Sequence, residues 1–244
     1  MAWIEKQATR FFADLIERNP CLEAEIRDGE KDRISDGFIY IYRDSRNIQT
    51  DHSLQNGNFI GRVLVQVKGR KDQHGHPFPL TRTNLENIEK AGGLLFLVAD
   101  IPREDGEDLK GYYADLAPRN VKHLLGQMKP EQKNKSVPLT PFPNDPTEIL
   151  SLVSHIQKRL SLTNVVMPNP RLFNEAEGLT IASSKAIDFN YPQLLGGPNS
   201  SAIISVKGPE GTEQVIDSIL QVIPQDYGLE RNDGLTVSCG SVQF

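Results

Sequence analysis

The segment Gly93–Asp100 (GLLFLVAD) limits the fold more than any other part of the sequence. Between its first and last residues it carries no polar side chain, so neither of its faces suits water. Such a run is typical of a strand that other elements cover on both faces. The sequence therefore predicts an α/β domain in which this strand lies inside a sheet.

The residues before this strand predict further elements. Residues 3–19 place apolar side chains on one helical face, and Asn19-Pro20 ends that helix. Alternation then predicts strands, and a helix follows with Thr83 or Asn84 near its cap. The predicted strands are Cys21–Arg27, Gly37–Tyr42 and Arg62–Lys68, the helix is Thr83–Ala91, and Gly93–Asp100 completes the order α-β-β-β-α-β.

Downstream residues predict additions to this first domain and then a second module. Residues 161–178 are rich in Asn and Pro and lose periodicity, so we expect domains at 1–160 and 179–244. The fold class is α/β, with a mixed central sheet and a smaller α/β C-terminal module. The chain ends on an apparent strand, which leaves open that it is a fragment. The additions are Gly111–Ala114, Pro118–Met128 (helix), Lys135–Leu139 and Asp145–Leu160 (helix); the module has strands Leu179–Ile187, Ala202–Val206 and Leu235–Phe244 and a helix at Gly211–Val222.

Composition indicates the cellular compartment but does not identify the substrate. A chain of 244 residues with 38% hydrophobic residues can bury a core without disulfides. Cys21 and Cys239 match no metal-ligand spacing, and the N-terminus lacks the apolar run of a signal peptide. These features predict a cytoplasmic protein with no membrane span. The net charge of −5 still allows one local basic groove.

Two polar side chains leave the same face of an otherwise apolar strand. Side chains alternate along a strand, so Gln66 and Lys68 of RVLVQVK share one face with Leu64. A lysine held there needs partners. Asp36 precedes the neighbouring strand and by the same parity can approach both residues. An Asp-Gly turn followed by an edge strand with a polar rim explains the same residues about equally well.

Together these features resemble the PD-(D/E)XK, or restriction-endonuclease-like, superfamily of nucleases. In that superfamily an acid opens the second strand and (D/E/Q)-x-K ends the third, positions matched here by Asp36, Gln66 and Lys68. Gln66 stands where many members have a second acid. The resemblance covers roughly residues 1–140, since GYYADLAPRNVKHLL is similar to bacterial domains built on this core, several of them at the front of anti-phage defence proteins.

The resemblance implies an endonuclease that hydrolyses DNA with Mg²⁺ or Mn²⁺, as a defence effector that acts as a homo-oligomer or with a sensor domain or subunit. Asp36, the Gln66 amide and the Val67 carbonyl would hold the metal, with Glu5 of the first helix acting directly or through water. Lys68 would orient the attacking water and offset charge on phosphate. Glu5 is favoured over Glu17 because it borders the apolar stripe.

The sequence contains other basic and potentially metal-binding patterns. Arg70 and Lys71 suit phosphate contacts but also suit a solvated loop. His74 and His76 have no third ligand at a fitting spacing, so a metal site there is disfavoured. In the second module, ISVKG has Ser205 where an acid or Gln is needed. With Gln66 in place of a second acid, the site has one negative charge fewer than in members that have that acid. The alternative function is therefore an inactive module that binds nucleic acid or assembles complexes.

Overall fold

A computed structural model describes residues 2–27, 34–43, 58–71, 75–102 and 108–162, and from the C-terminal part 178–184, 186–187, 193–194, 202–207, 213–218, 221–222, 238–239 and 242–243. Its first part is an α/β structure with a six-stranded mixed sheet. The elements in chain order are α1 (Ala2–Ile16), β1 (Leu22–Ile26), β2 (Gly37–Tyr42), β3 (Phe59–Lys71), β4 (Phe78–Thr81), α2 (Arg82–Lys90), β5 (Leu94–Ile101), β6 (Lys110–Leu116), α3 (Pro118–Gly126), β7 (Asn134–Val137), β8 (Thr140–Pro141) and α4 (Pro146–Leu162).

The central sheet has the strand order β1-β2-β3-β5-β6-β8. Strand β3 pairs antiparallel with β2 through its first half and parallel with β5 through its second half. The remaining pairs in this sheet are antiparallel. The parallel pair needs a crossover, which β4 and α2 supply. Strand β5, predicted to be covered on both faces, is buried at every position.

Two apolar cores lie on the two faces of this sheet. Face A carries Val63, Val65 and Val67, which pack with α1 and α4. Face B carries the alternate side chains of β3, and Leu64 packs there against the core formed with α2 and α3. The alternation follows from the period of two along a strand. Gln66 and Lys68 therefore belong to face B.

Gly69 lets helix α1 lie close to the end of β3. A Cβ added at Gly69 would stand 2.6 Å from the carbonyl oxygen of Ile4 and 2.7 Å from its Cγ2. Only a residue without a side chain permits this approach. The first turn of α1 is thereby fixed over the segment that follows Lys68.

We predict that Gly69→Ala lowers the free energy of unfolding by about 1–3 kcal/mol, because α1 must move away from β3. Urea unfolding of the purified variant measures this change. Gly126→Ala is the matched control, since a Cβ there meets nothing within 4 Å. Equal stability of the two variants would show that the close approach is not required.

Sequence and structure differ at several elements of the first domain. Phe78–Thr81, predicted as loop, is β4 and pairs with β7, and β8 was also not predicted. Helix α2 is capped by Thr81 and not by Thr83 or Asn84, since the Thr81 side chain accepts from the Asn84 N–H at 3.1 Å. Strand β3 extends at both ends beyond the predicted range.

Within the described residues no helix has the length and apolarity needed to cross a membrane.

The helix predicted at Gly211–Val222 is wrong. Residues Glu213–Ser218 form a strand that pairs with Ala202–Lys207, and that central strand also pairs with Gly178–Ser183. Non-local pairing overrides the helical spacing of the apolar residues here. The described C-terminal strands are β9 (Gly178–Ser183), β10 (Gln193–Leu194), β11 (Ala202–Lys207), β12 (Glu213–Ser218), β13 (Gln221–Val222), β14 (Ser238–Cys239) and β15 (Val242–Gln243).

The predicted boundary between the two domains falls almost wholly outside the described residues. Helix α4 runs two residues past the predicted end of the first domain, to Leu162. Residues 163–177 are not described. The division into 1–160 and 179–244 therefore stays a prediction.

Candidate active site

Asp36 is tied to β3 through its backbone and its side chain. The Asp36 N–H donates to the Val65 carbonyl at 2.9 Å, and the Val67 N–H donates to Asp36 Oδ2 at 2.7 Å. The Asp36 carbonyl accepts from the Arg27 N–H at 2.9 Å. One residue thus joins the ends of β1 and β2 to β3, and its carboxylate lies at the backbone of Val67.

The β2–β3 ladder ends just after Asp36. Its last pair is Gly37 with Val65, and Asp36 directly precedes Gly37. The Asp36 N–H donates to the carbonyl of Val65, the residue that Gly37 also faces, so the regular register stops here. Asp36 and Gln66 are both partly buried. The convergence of their side chains stays a prediction.

The Val67 carbonyl points to the same side of β3 as the Asp36 carboxylate. In an antiparallel ladder, a residue's N–H and C=O face the same neighbour, and the Val67 N–H faces Asp36. Strand β2 begins at Gly37 and does not extend along β3 past this point. Carboxylate, amide and carbonyl oxygens are the hard ligands that Mg²⁺ and Mn²⁺ prefer, so the predicted ligand set of Asp36, Gln66 and Val67 has suitable chemistry.

Lys68 follows two residues later on face B. Its side chain is partly buried, and no acid within the described ranges pairs with its ammonium. The rise of a strand puts its Cα roughly 7 Å from that of Gln66. Lys68 is held by β5, since Val98 is its partner in the parallel ladder. The backbone of Lys68 is thus fixed by β5, and the role of its ammonium beside Asp36 and Gln66 stays a prediction.

Glu5 lies on the other side of the sheet from these residues. It belongs to the first turn of α1, which packs on face A, and it is partly buried. In the part of the chain that the structure describes, no hydrogen bond or ion pair joins it to Asp36, Gln66 or Lys68. Its role as a ligand stays a prediction. Glu17 is exposed, and its Oε1 accepts from the Ala24 N–H at 3.3 Å.

Arg70 is not placed for the predicted phosphate contact. Its side chain is 8% exposed, and its Nε donates to Asp100 Oδ1 at 2.5 Å. Asp100, which is almost fully buried, also accepts from the Gly75 N–H at 2.9 Å through Oδ2. The guanidinium lies 5.8 Å from the centre of the Phe78 ring. The Arg70–Asp100 pair thus fixes the ends of β3 and β5, and Asp100 also holds the chain at Gly75, while Lys71 is exposed.

The acid content of the site is low. Among the described residues, no three His, Cys, Asp or Glu side chains gather closely enough to hold a metal ion. A cation at Asp36 would therefore depend on the Gln66 amide, the Val67 carbonyl and water. Of the two histidines that were considered for a separate metal site, His76 is exposed and His74 lies outside the described residues.

A separate cavity of about 380 Å³ lies near the opposite end of the sheet, between β6, α3 and α4. Its Arg159 guanidinium is engaged by Asp115 and by the Asn120 amide oxygen. Burial, with a smaller contribution from Asp115, raises the pKa of Tyr113 in the same wall. Strand β5 separates β6 from β3, so this cavity is distinct from the site at Asp36.

Comparisons of this chain with protein-family models, with curated proteins and with solved structures found no match.

Proposed function

We propose that this chain is a divalent-metal-dependent nuclease that hydrolyses phosphodiester bonds of DNA at Asp36, Gln66 and Lys68. The observation that carries the proposal is the hydrogen bond from the Val67 N–H to the Asp36 carboxylate, because Val67 lies between Gln66 and Lys68 on β3. The element order and the resemblance of the motif support it. A role as an anti-phage effector rests on the resemblance alone.

The proposed chemistry divides between oxygen ligands and one cation. Asp36, the Gln66 amide oxygen and the Val67 carbonyl would hold Mg²⁺ or Mn²⁺, which when bound polarises the phosphate and acidifies water. Lys68 would orient the attacking water and stabilise the charge that develops on the phosphate oxygens. Because Lys68 meets no acid among the described residues, its ammonium is not already neutralised there. Glu5 is given no role in this proposed mechanism.

Incubation of the purified chain with supercoiled plasmid tests the proposal. Nicked or linear product is expected with Mg²⁺ or Mn²⁺, and the plasmid should stay intact in EDTA. A protein that leaves the plasmid and single-stranded oligonucleotides intact with either metal would contradict the nuclease function under those conditions.

A binding module without hydrolysis is the second candidate function. One observation favours it: Asp36 Oδ2 is already engaged by the Val67 N–H, so the carboxylate also stabilises the end of the β2–β3 ladder. With Gln66 in the place of a second acid, the remaining charge for a metal is small. In that case the chain would bind nucleic acid with no metal requirement.

The variant Gln66→Glu tests whether Gln66 belongs to the metal ligands. A carboxylate at this position should strengthen Mn²⁺ binding by roughly tenfold, because one added charge close to a divalent ion contributes on the order of 1 kcal/mol or more. Titration calorimetry with Mn²⁺ measures the change. Gln127→Glu, at the residue that follows α3, adds the same charge away from Asp36 and should leave the affinity unchanged. Equal Mn²⁺ affinity of the parent and Gln66→Glu would remove Gln66 from the ligand set.

A further inference from the structure

Face B also carries, on β2 and the start of β3, a row of aromatic rings that belongs to neither of the two described cores. Phe38, Tyr40 and Tyr42 alternate along β2, and Phe59 starts β3. Each ring is partly exposed. None of the four is a member of the clusters on face A or face B. Among the described helices, α4 packs on β2, and it does so on face A through the core that contains Ile39 and Ile41.

The rings contact one another in a continuous row. Neighbouring ring centres are 6.2 Å apart for Phe38 and Tyr40, 6.3 Å for Tyr40 and Phe59, and 6.2 Å for Tyr42 and Phe59. A β-bulge between Ile41 and Tyr42 shifts the register, so Phe59 pairs with Tyr42. Bulges re-aim side chains in this way. Phe59 thus joins the row while Ile60 packs into the core of face A.

A cation lies over one end of the row. The Arg62 guanidinium is 4.3 Å from the centre of the Phe38 ring, and Arg62 is exposed. Planar guanidinium groups, like aromatic rings, stack on nucleobases. We call Phe38, Tyr40, Tyr42, Phe59 and Arg62 the aromatic platform.

Acids on the outer strand hold the platform's tyrosines. The Tyr40 hydroxyl donates to Glu25 Oε2 and the Tyr42 hydroxyl to Glu23 Oε2, each at 2.9 Å. The Arg27 hydrogen bond, followed by that of Tyr40, lowers the pKa of Glu25, so this carboxylate accepts at neutral pH. Burial, with the Glu25 hydrogen bond, raises the pKa of Tyr40, which keeps its hydroxyl protonated. These bonds restrict the rings before any ligand binds.

The charges beside the platform differ between its two sides. Glu23 and Glu25 lie on the outer strand β1, whereas Arg62 and Lys68 lie on β3 and share face B with Gln66. Arg62 and Lys68 are about 20 Å apart along the strand. A polyanion would therefore run along β3 toward the candidate active site, away from the acids, and its bases would turn toward β2.

We infer that the aromatic platform binds unpaired nucleotides of a single-stranded nucleic acid and leads that strand to the site at Asp36, Gln66 and Lys68. This inference rests on the proposed function for the position of the reacting phosphate but not for the binding itself. Bases stack on exposed rings only when they are unpaired, since a duplex buries their faces. The preferred substrate class is therefore single-stranded DNA or RNA, or a locally unpaired stretch of a duplex.

The test measures equilibrium binding of the full chain to fluorescein-labelled oligonucleotides in EDTA, where metal-dependent cleavage does not proceed. Single-stranded DNA, single-stranded RNA and the matching DNA duplex are the three probes. The parent should bind at least one single strand about tenfold more tightly than the duplex. Tyr40→Leu with Phe59→Leu should weaken single-strand binding by about tenfold or more, because stacking on two rings is lost.

The matched control is Trp3→Leu, which removes an exposed ring of α1 that lies outside the platform. It should bind single strands nearly as the parent does, and circular dichroism should show that both variants fold. If the double-leucine variant does not fold, Arg62→Gln serves instead and should still weaken single-strand binding several-fold. Unchanged single-strand affinity in a folded ring-removing variant, equal affinity of the parent for duplex, or binding to no probe would each overturn the platform.

These experiments distinguish failure of the nuclease proposal from failure of the aromatic platform. Ring-dependent binding without cleavage by any metal would uphold the platform and contradict the nuclease proposal. Cleavage that does not change when the rings are removed, with binding also unchanged, would uphold the nuclease and contradict the platform.

Discussion

Replacing Lys68 with alanine should slow metal-dependent cleavage by about 100-fold or more while leaving the fold and most nucleic-acid affinity intact. Loss of one cation positioned at developing charge commonly has an effect of this size. Ground-state affinity is shared with other cations and with stacking, so it should change much less. Rates of plasmid or oligonucleotide cleavage under saturating Mn²⁺, together with binding in EDTA, measure both quantities.

The control for this prediction is Lys110→Ala, which removes an exposed lysine from β6 of the same sheet. It should cleave at the parent's rate. Lys68→Arg keeps the charge but changes its shape and reach, so an intermediate rate is expected. Cleavage by Lys68→Ala as fast as by the parent would show that Lys68 has no part in the chemistry.

Replacing Asp100 with alanine should lower the free energy of unfolding by about 3–5 kcal/mol, because a buried guanidinium is then left without its carboxylate. Arg70 and Asp100 have side chains that are 8% and 1% exposed, so water cannot readily replace the lost partner. The Gly75 N–H loses its acceptor as well. Chemical unfolding followed by circular dichroism measures the loss.

The double variant Arg70→Met with Asp100→Leu gives the decisive comparison. Replacing both ions by apolar side chains removes the unpaired charge, and most of the stability should return. If Asp100→Ala unfolds at the parent's denaturant concentration, the ion pair contributes nothing to stability. If the double variant is as unstable as the single one, packing at this point and not charge explains the loss.

The strands and helices of the first domain could be read from the sequence where periodicity was strong. Gly37–Tyr42 was predicted with the bounds that the structure has, and GLLFLVAD is buried throughout as its composition indicated. Strand β4 was missed because it is short, contains Pro79 and owes its existence to a partner far along the chain, β7. Pairing over such distances leaves little local signal.

The candidate site could be predicted only in part, for a similar reason. Parity along β3 predicted the shared face of Gln66 and Lys68, and the structure places the Asp36 carboxylate at the backbone N–H of Val67 between them. Parity could not reveal that Arg70 faces Asp100, because that contact depends on the parallel register between β3 and β5. An aspartate ending an apolar strand was the one signal that a buried partner was needed.

The sequence also predicts only part of the aromatic platform. Phe38 and Tyr40 share a face by alternation alone. Phe59 lies beside these rings because the register shifts between Ile41 and Tyr42, and such a bulge has no reliable sequence pattern.

The double pairing of β3 has a consequence for the order in which the site assembles during folding. Strands β1, β2 and the first half of β3 are antiparallel neighbours in sequence, so they can associate early as a local unit that already contains Asp36. Gln66 and Lys68 lie beyond Val65, the last residue of β3 that β2 pairs, and they are fixed only when β5 docks in parallel after the crossover. Closing that longer loop costs more entropy, so it comes later. The two parts of the proposed site therefore form in separate events, and a chain caught between them would have Asp36 in place without Gln66 and Lys68.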